Sequence, residues 1–530
     1  MQQDIQRGVK RDIEWDDVCD VLVVGSGGGG CTGAYTAARE GLDTLMVEAT
    51  ERFGGVTSYS GGGGMWFPGN AVLKRNGDED TIEDALTYYR SMVGDRTPAD
   101  LQETFVRAGA PLIDYLEQDA HFKFTELPWP DYFGTAPKAS AKGRHITPKP
   151  LDPAKLGDLR DSLRPPLGTD WLGEELPPYV IGGQALIGRF LLALQQYSNA
   201  RTRLDCVVEV FVVEDGAVIG AIATRGGERT AIRARRGVIV ASGGFERNDA
   251  MREQFGVPGE SRDSMGTPGS QGKAIAAGIA AGADTDLMDQ AWWSPGLTHP
   301  DGNSAFALWF TGGIFVNQDG ERFVNESAPY DRLGRVALDR IADGSLSLPF
   351  WMVYDDRDGT VPPVKATNVP LQDTEKYIDA GLWKTAGTLE ELAELIGVPG
   401  GALAKTVERF NSFVESGVDE DFGRGDEPYD RAFSGGEPPL YPITQGPFHA
   451  AQFGLSDLGT KGGMRTDTAG RVLGKNGAVI GGLYAAGNSM AAPSGYVYPG
   501  GGNPIGTSMV FAHLAAKDVA AGDSAEASAQ

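Results

Sequence analysis

The stretch from Asp20 to Glu48, "DVLVVGSGGGGCTGAYTAAREGLDTLMVE", decides the fold. A short apolar run, Val21 to Val24, leads into a glycine turn; an Ala-rich helix follows, and a second apolar run ends at Glu48. This order predicts a βαβ unit. Gly25, Gly27 and Gly30 fit Gly-x-Gly-x-x-Gly, with Gly28 inside the string. In that setting the first glycine permits a tight turn, the second lets backbone approach a pyrophosphate, and the third lets helix pack on strand. The helix N-terminus then offers unpaired N–H groups to the phosphates. Glu48 stands where an acid binds the ribose hydroxyls of an adenosine, and Ala49 follows it.

Composition narrows the class. A chain of 530 residues exceeds what one core usually serves, so two domains are expected. A formal charge of −25 argues against nucleic acid, which needs clustered Lys and Arg. Three scattered cysteines form no disulfide framework and suit a reducing compartment. The charged opening "MQQDIQRGVKRDIEWDD" lacks the apolar core of a signal peptide. No run approaches the ~20 apolar residues of a membrane span. A cytoplasmic protein is the expectation. A lipid-partitioning substrate leaves peripheral membrane contact open, although no basic amphipathic helix argues for it.

The 75 glycines clump beside predicted strand and helix ends, marking backbone that comes close to something. After Glu48, "ATERFGGVTSYSGGGGMWFPG" carries Gly55, Thr57, Ser58, Gly63 and Gly64 where a nicotinamide-type domain begins its next helix. A loop of that length can wrap a ligand larger than one nucleotide half. The run from Arg201 to Phe245 alternates in strand fashion, turns at Asp215-Gly216 and ends at Ala241-Ser242-Gly243, a β-meander returning a strand to the nucleotide sheet. Much later "GLYAAGN" ends a strand at Gly487 and Asn488. A mononucleotide unit at one end of the chain, completed by a strand at the other, points to FAD.

The motifs "VLVVGSGGGG", "FGGVTSYSGG", "GVIVASGGF", "GERFVNE", "TKGG" and "GLYAAGN" resemble flavoproteins related to fumarate reductase and succinate dehydrogenase. Within that group "WPDYF", "NESAPYDR" and "SGYVYPGGGNPIGTSMVF" look like the 3-ketosteroid Δ1-dehydrogenases. The resemblance implies an α/β fold, with a Rossmann-like FAD-binding domain and an inserted α+β catalytic domain. FAD contacts are expected from the glycines and polar residues above, with Val207, Pro504 and Ile505. No histidine precedes His121, so the FAD is expected to be non-covalent.

The activity implied is removal of a C2 proton and a C1 hydride from ring A of a 3-ketosteroid, the hydride passing to flavin N5. Acidifying a C–H next to a ketone requires donors aimed at the developing enolate oxygen. Tyr498 and the backbone N–H of Gly502 fill that role by resemblance; Tyr330 is the base and Tyr132 its hydrogen-bond partner. Trp129, Trp293 and Phe306 are expected to line an apolar substrate pocket. For any single tyrosine or tryptophan, ordinary core packing is the commoner role. The partners implied are a steroid and an electron acceptor; the five scattered histidines form no metal cluster.

The FAD-binding domain is expected over 1–291 and 455–530, with 292–454 inserted as a substrate cap. The helices within "TLEELAELIGVPGGALAKTVERFNSFVESG" read as a solvent-facing cover, and "AGDSAEASAQ" as a polar, disordered tail. Three other readings stay open: a Δ4-(5α)-dehydrogenase, a fumarate-reductase-like enzyme, which the scarcity of cations in the candidate segments disfavours, and a flavin- or steroid-binding protein without turnover.

Overall fold

In the first strand, Asp17–Val24, the side chains of Val21, Leu22 and Val23 are fully buried. The strand pairs in parallel on both edges, with Val21–Val24 against Thr44–Val47 and against Gly237–Val240. A strand covered on both faces reads as an unbroken apolar run rather than an alternation, which is the pattern of "VLVV". Burying each such side chain contributes about 1.5–3 kcal/mol. The computed structural model describes residues 13–527; the first twelve residues of the charged opening lie outside them.

The first sheet is eight-stranded. Its order is Arg471–Leu473, Val479–Ala485, Ala217–Arg225, Glu228–Val240, Asp17–Val24, Thr44–Val47 and Ala200–Arg203, with Cys206–Glu214 added to Ala217–Arg225. The meander is antiparallel and turns at Asp215 (φ 48°) and Gly216 (φ 83°). Its last strand pairs in parallel with Leu483–Ala485, so both ends of the chain share one sheet. Helix Gly28–Arg39 crosses helix Asn503–Ala527 closely: a Cβ on Gly29 would sit 2.6 Å from Ser508 Oγ. That last helix runs through most of the expected disordered tail; residues 528–530 lie outside the described residues.

The second sheet is seven-stranded and antiparallel, built from Ile314–Val316, Phe350–Asp355, Phe448–Thr460, Ala291–Thr298, Ser304–Phe310, Val364–Thr367 and Trp383–Ala386. Strand Phe448–Thr460 runs across the expected boundary at 454 because its far half pairs with Ala291–Leu297. Helices Leu389–Ile396 and Gly400–Ser416 press Leu392, Leu403, Val407 and Phe410 onto Ile314, Val316 and Val353, and so cover this sheet.

Candidate active site

A cavity of about 950 Å³ is lined from both sheets. That is the upper end of the ~300–1,000 Å³ range of small-molecule sites. One end is backbone and small polar side chains; the other is aromatic.

At the first end the four glycines of the opening turn separate into two kinds. Gly25 has φ +102°, and a Cβ there would lie 2.3 Å from the Ala241 carbonyl oxygen. A Cβ on Gly30 would lie 1.9 Å from the Gly25 carbonyl oxygen. The protein itself requires both glycines. Gly27 has φ −68°, and its Cβ would approach the protein no closer than 3.5 Å, at Thr57 Oγ1. Gly28 is similarly free, with 3.4 Å to the same atom. Nothing in the packed protein demands glycine at these two positions, yet both line the cavity. Their bare backbone at the start of helix Gly28–Arg39 fits a pyrophosphate.

Glu48, at the end of the second strand, accepts from Ser26 Oγ (2.6 Å) and from Thr50 N–H (3.0 Å), which fix its carboxylate at the cavity wall. Ala49, Gly55, Thr57, Gly64, Val207, Ala241, Ser242 and Gly243 also line this end, as do Gly487, Asn488, Pro504 and Ile505. Three expected contacts do not. Gly30 packs on its own turn, Gly63 abuts the Gly182 backbone, and Ser58 is buried under its loop facing Gly54. The residues present therefore fit a dinucleotide cofactor, which the first turn, Glu48 and the wall from Ala241 to Asn488 would hold.

At the aromatic end three motifs far apart in the chain converge. The ring centroids of Tyr132, Tyr330 and Tyr498 lie 5.2–5.6 Å apart in edge-to-face contacts. Phe306 packs on Tyr330 at 4.8 Å and Trp292 on Tyr498 at 4.9 Å. Gly502 N–H donates to Tyr498 Oη at 3.3 Å, so the two expected oxyanion donors are adjacent. Gly502 has φ +79°, and a Cβ would lie 2.1 Å from the Gly64 carbonyl oxygen, so the packing of the protein itself requires this glycine. It directly precedes helix Asn503–Ala527, which adds its N-terminal potential there.

Burial pushes the Tyr330 phenol well above its ordinary value, with Tyr132 and Tyr498 adding to the rise. Burial likewise raises Tyr132 and Tyr498.

Trp129 lines the cavity and packs on Trp309, but Trp293 does not belong to the wall. Successive residues of strand Ala291–Thr298 face opposite ways. Trp292 therefore reaches the tyrosines while Trp293 packs with Phe245, Met251 and Leu455. Two lining residues carried no sequence signal. His145 is buried, its Nδ1 accepts from Arg144 N–H (3.3 Å), and burial lowers it to about 3, so it is a neutral imidazole. It arrives through the pairing of His145 with Trp66, which no local pattern announces. Glu246 follows the "ASGGF" turn; burial and then the Asp457 charge push its carboxyl up to about 7.

A dinucleotide cradle opening directly onto buried acid–base groups is the arrangement of a flavin-dependent oxidoreductase. A family model described as "FAD binding domain" matches residues 20–505. The 3-oxosteroid 1-dehydrogenase of Mycolicibacterium smegmatis is 36% identical, covering 95% of this chain and 97% of its own. The 4-oxocyclohexanecarboxylate 2-dehydrogenase of Sinomonas cyclohexanicum is 32% identical, over 94% and 92%. The crystal structure of 3-ketosteroid Δ1-dehydrogenase from Sterolibacterium denitrificans, in complex with 1,4-androstadiene-3,17-dione, superposes with a TM-score of 0.87 at 28% identity, covering 95% of this chain and all of that one. The chain belongs to the FAD-binding family that contains the 3-oxosteroid 1-dehydrogenases. Its cofactor is FAD.

Proposed function

We propose that the protein is a 3-ketosteroid Δ1-dehydrogenase, introducing a C1–C2 double bond into ring A. The observation that carries this reading is the convergence of Tyr132, Tyr330, Tyr498 and Gly502 N–H at the aromatic end of the FAD cavity. Tyr498 O–H and Gly502 N–H hold the C3 ketone oxygen and stabilise the charge that develops on it. Tyr330 takes the C2 proton; Tyr132 packs its ring edge-to-face on Tyr330 at 5.5 Å, but its hydroxyl has no hydrogen-bond partner among the described residues, so the expected bond between the two is not formed and its part is to hold the Tyr330 ring. FAD, when bound, supplies the acceptor for the C1 hydride. Phe306 and Trp129 flank the apolar ring system and exclude water from the reacting carbons.

The wall also speaks for a large uncharged substrate. Among the described residues, Lys273 is the sole Lys or Arg lining the cavity, and it lies with Glu209 at 3.3 Å on the nucleotide side. Among the described residues no Lys or Arg lines the aromatic end to pair with a dicarboxylate. We read the unit built on the first sheet as the FAD-binding domain, expected over 1–291 and 455–530, and that built on the second as the cap, expected over 292–454, with strand Phe448–Thr460 carrying the cap's sheet past that boundary. We also place the enzyme in the cytoplasm, where its three free, buried thiols stay reduced. Among the described residues no helix is long and apolar enough to cross a membrane.

Product NMR tests the regiochemistry. With 5α-androstane-3,17-dione as substrate, new olefinic protons at C1 and C2 are expected. An olefin at C4–C5 instead would assign the protein to the Δ4-(5α) reaction.

A further inference from the structure

Lys461, in the "TKGG" motif, has no part in the site described above. It is fully buried. Its Nζ donates to the Val497 carbonyl at 2.9 Å and stands 3.9 Å from the centroid of the Trp292 ring. Among the described residues no carboxylate lies within ion-pair distance of Nζ. The acid nearest in influence, Asp331, is engaged by Arg335 Nε (2.7 Å) and Trp293 N–H (3.1 Å). A buried amine without a counter-charge is costly and calls for a reason.

Both of its contacts lead to Tyr498. Val497 is the preceding residue, so the Lys461 donor fixes the peptide from which Tyr498 projects. Trp292 packs its ring on Tyr498 at 4.9 Å, and its Nε1 donates to Asn488 Oδ1 at 3.1 Å on the cofactor wall. The backbone of Lys461 adds two ties, donating to Gln290 O (2.9 Å) and accepting from Ala492 N–H (3.2 Å). One side chain, outside the cavity wall, thus braces both the phenol and the indole that links it to the cofactor side.

We propose that Lys461 is a positioning residue for the reaction: by clamping the Val497 carbonyl and the Trp292 ring, it holds the Tyr498 hydroxyl on the ketone oxygen. This rests on the role given to Tyr498 in the proposed function. A donor displaced by ~1 Å can lose about 100-fold in rate while binding is kept.

The test is Lys461→Met, which keeps the length of the stem and removes the donor. Steady-state kinetics on androst-4-ene-3,17-dione are combined with the infrared C3 carbonyl stretch of bound 1,4-androstadiene-3,17-dione. The expected result is kcat lower by about 10- to 100-fold, KM within about threefold, FAD content unchanged, and a stretch shifted back towards its solution value. Wild-type kcat, or a fall in kcat with an unmoved stretch, would overturn the proposal. Should Lys461→Met lose FAD, Trp292→Phe carries the test, and the same shift of the stretch is expected; an unmoved stretch there overturns it equally. A wild-type enzyme that leaves the steroid unconverted would instead refute the functional reading, an outcome separate from any difference between variants.

Discussion

Tyr330 and Tyr498 are both buried phenols, but the proposed reaction gives their hydroxyls opposite tasks. In it Tyr498 donates and must keep its proton, whereas Tyr330 accepts and must first lose one. Tyr498→Phe is expected to lower kcat by about 10²–10³-fold, the effect of one oxyanion donor. Tyr330→Phe is expected to lower it by about 10²–10⁴-fold, as for a general base. Both variants should keep a wild-type ratio of flavin to protein absorbance, because neither ring belongs to the nucleotide end of the cavity. The pH profile follows from the same burial. Burial holds Tyr330 above the ordinary ~10 of a tyrosine, so its ionised fraction rises about tenfold per pH unit throughout the neutral range. Thus kcat/KM should climb with pH from about 6 to about 9 and show no plateau. A flat profile over that span would remove Tyr330 as the base.

The first turn, between strand Asp17–Val24 and helix Gly28–Arg39, can be tested as an element because its glycines do different things. Gly27→Val brings its Cβ only into ordinary contact, 3.5 Å from Thr57 Oγ1, so the variant should fold with wild-type cooperativity and emerge colourless, its FAD excluded. Gly30→Val drives a side chain into the Gly25 carbonyl, and Gly25→Val into that of Ala241; both should lower the melting temperature as well as FAD content. Thermal unfolding and flavin absorbance, measured together, separate the two classes.

Much of this element was legible in the sequence. Glycine spacing, the strand before and the acid after are local, and local patterns survive in the chain order. The tyrosine trio was legible only through resemblance, since nothing in the spacing of Tyr132, Tyr330 and Tyr498 says that they meet. Trp293 shows the limit: adjacent tryptophans on a strand face opposite ways, and choosing between them requires the register of Trp293 against Asp457. His145 and Glu246 reach the cavity by long-range pairing and packing, for which a single sequence carries no mark.

At the scale of the whole molecule the two sheets meet across the cavity, and Glu246 stands at that junction. Its Oε2 accepts from Thr460 N–H (3.2 Å) and Thr460 Oγ1 (3.3 Å), joining the loop after the first sheet's Glu228–Val240 to strand Phe448–Thr460 of the second. The native carboxyl titrates near 7 and an ordinary one near 4.5, so between these values the folded state holds a proton that the unfolded chain releases. Stability from this group is therefore full below about 4.5 and is lost as pH rises towards 7. Glu246→Gln should flatten that decline in urea unfolding of the holoenzyme at pH 5 and pH 8; an unchanged slope would contradict the burial argument.

Anaerobic reduction tests whether this tyrosine cluster removes the C2 proton of a 3-ketosteroid beside the flavin. The oxidised holoenzyme and its Tyr330→Phe variant are each mixed with saturating androst-4-ene-3,17-dione while flavin absorbance is followed and the product is identified. Bleaching with formation of the 1,4-diene is expected in the wild type, and bleaching slower by about 100-fold or more in the variant. An unbleached wild type, or equal rates in the two proteins, would contradict that role for the cluster.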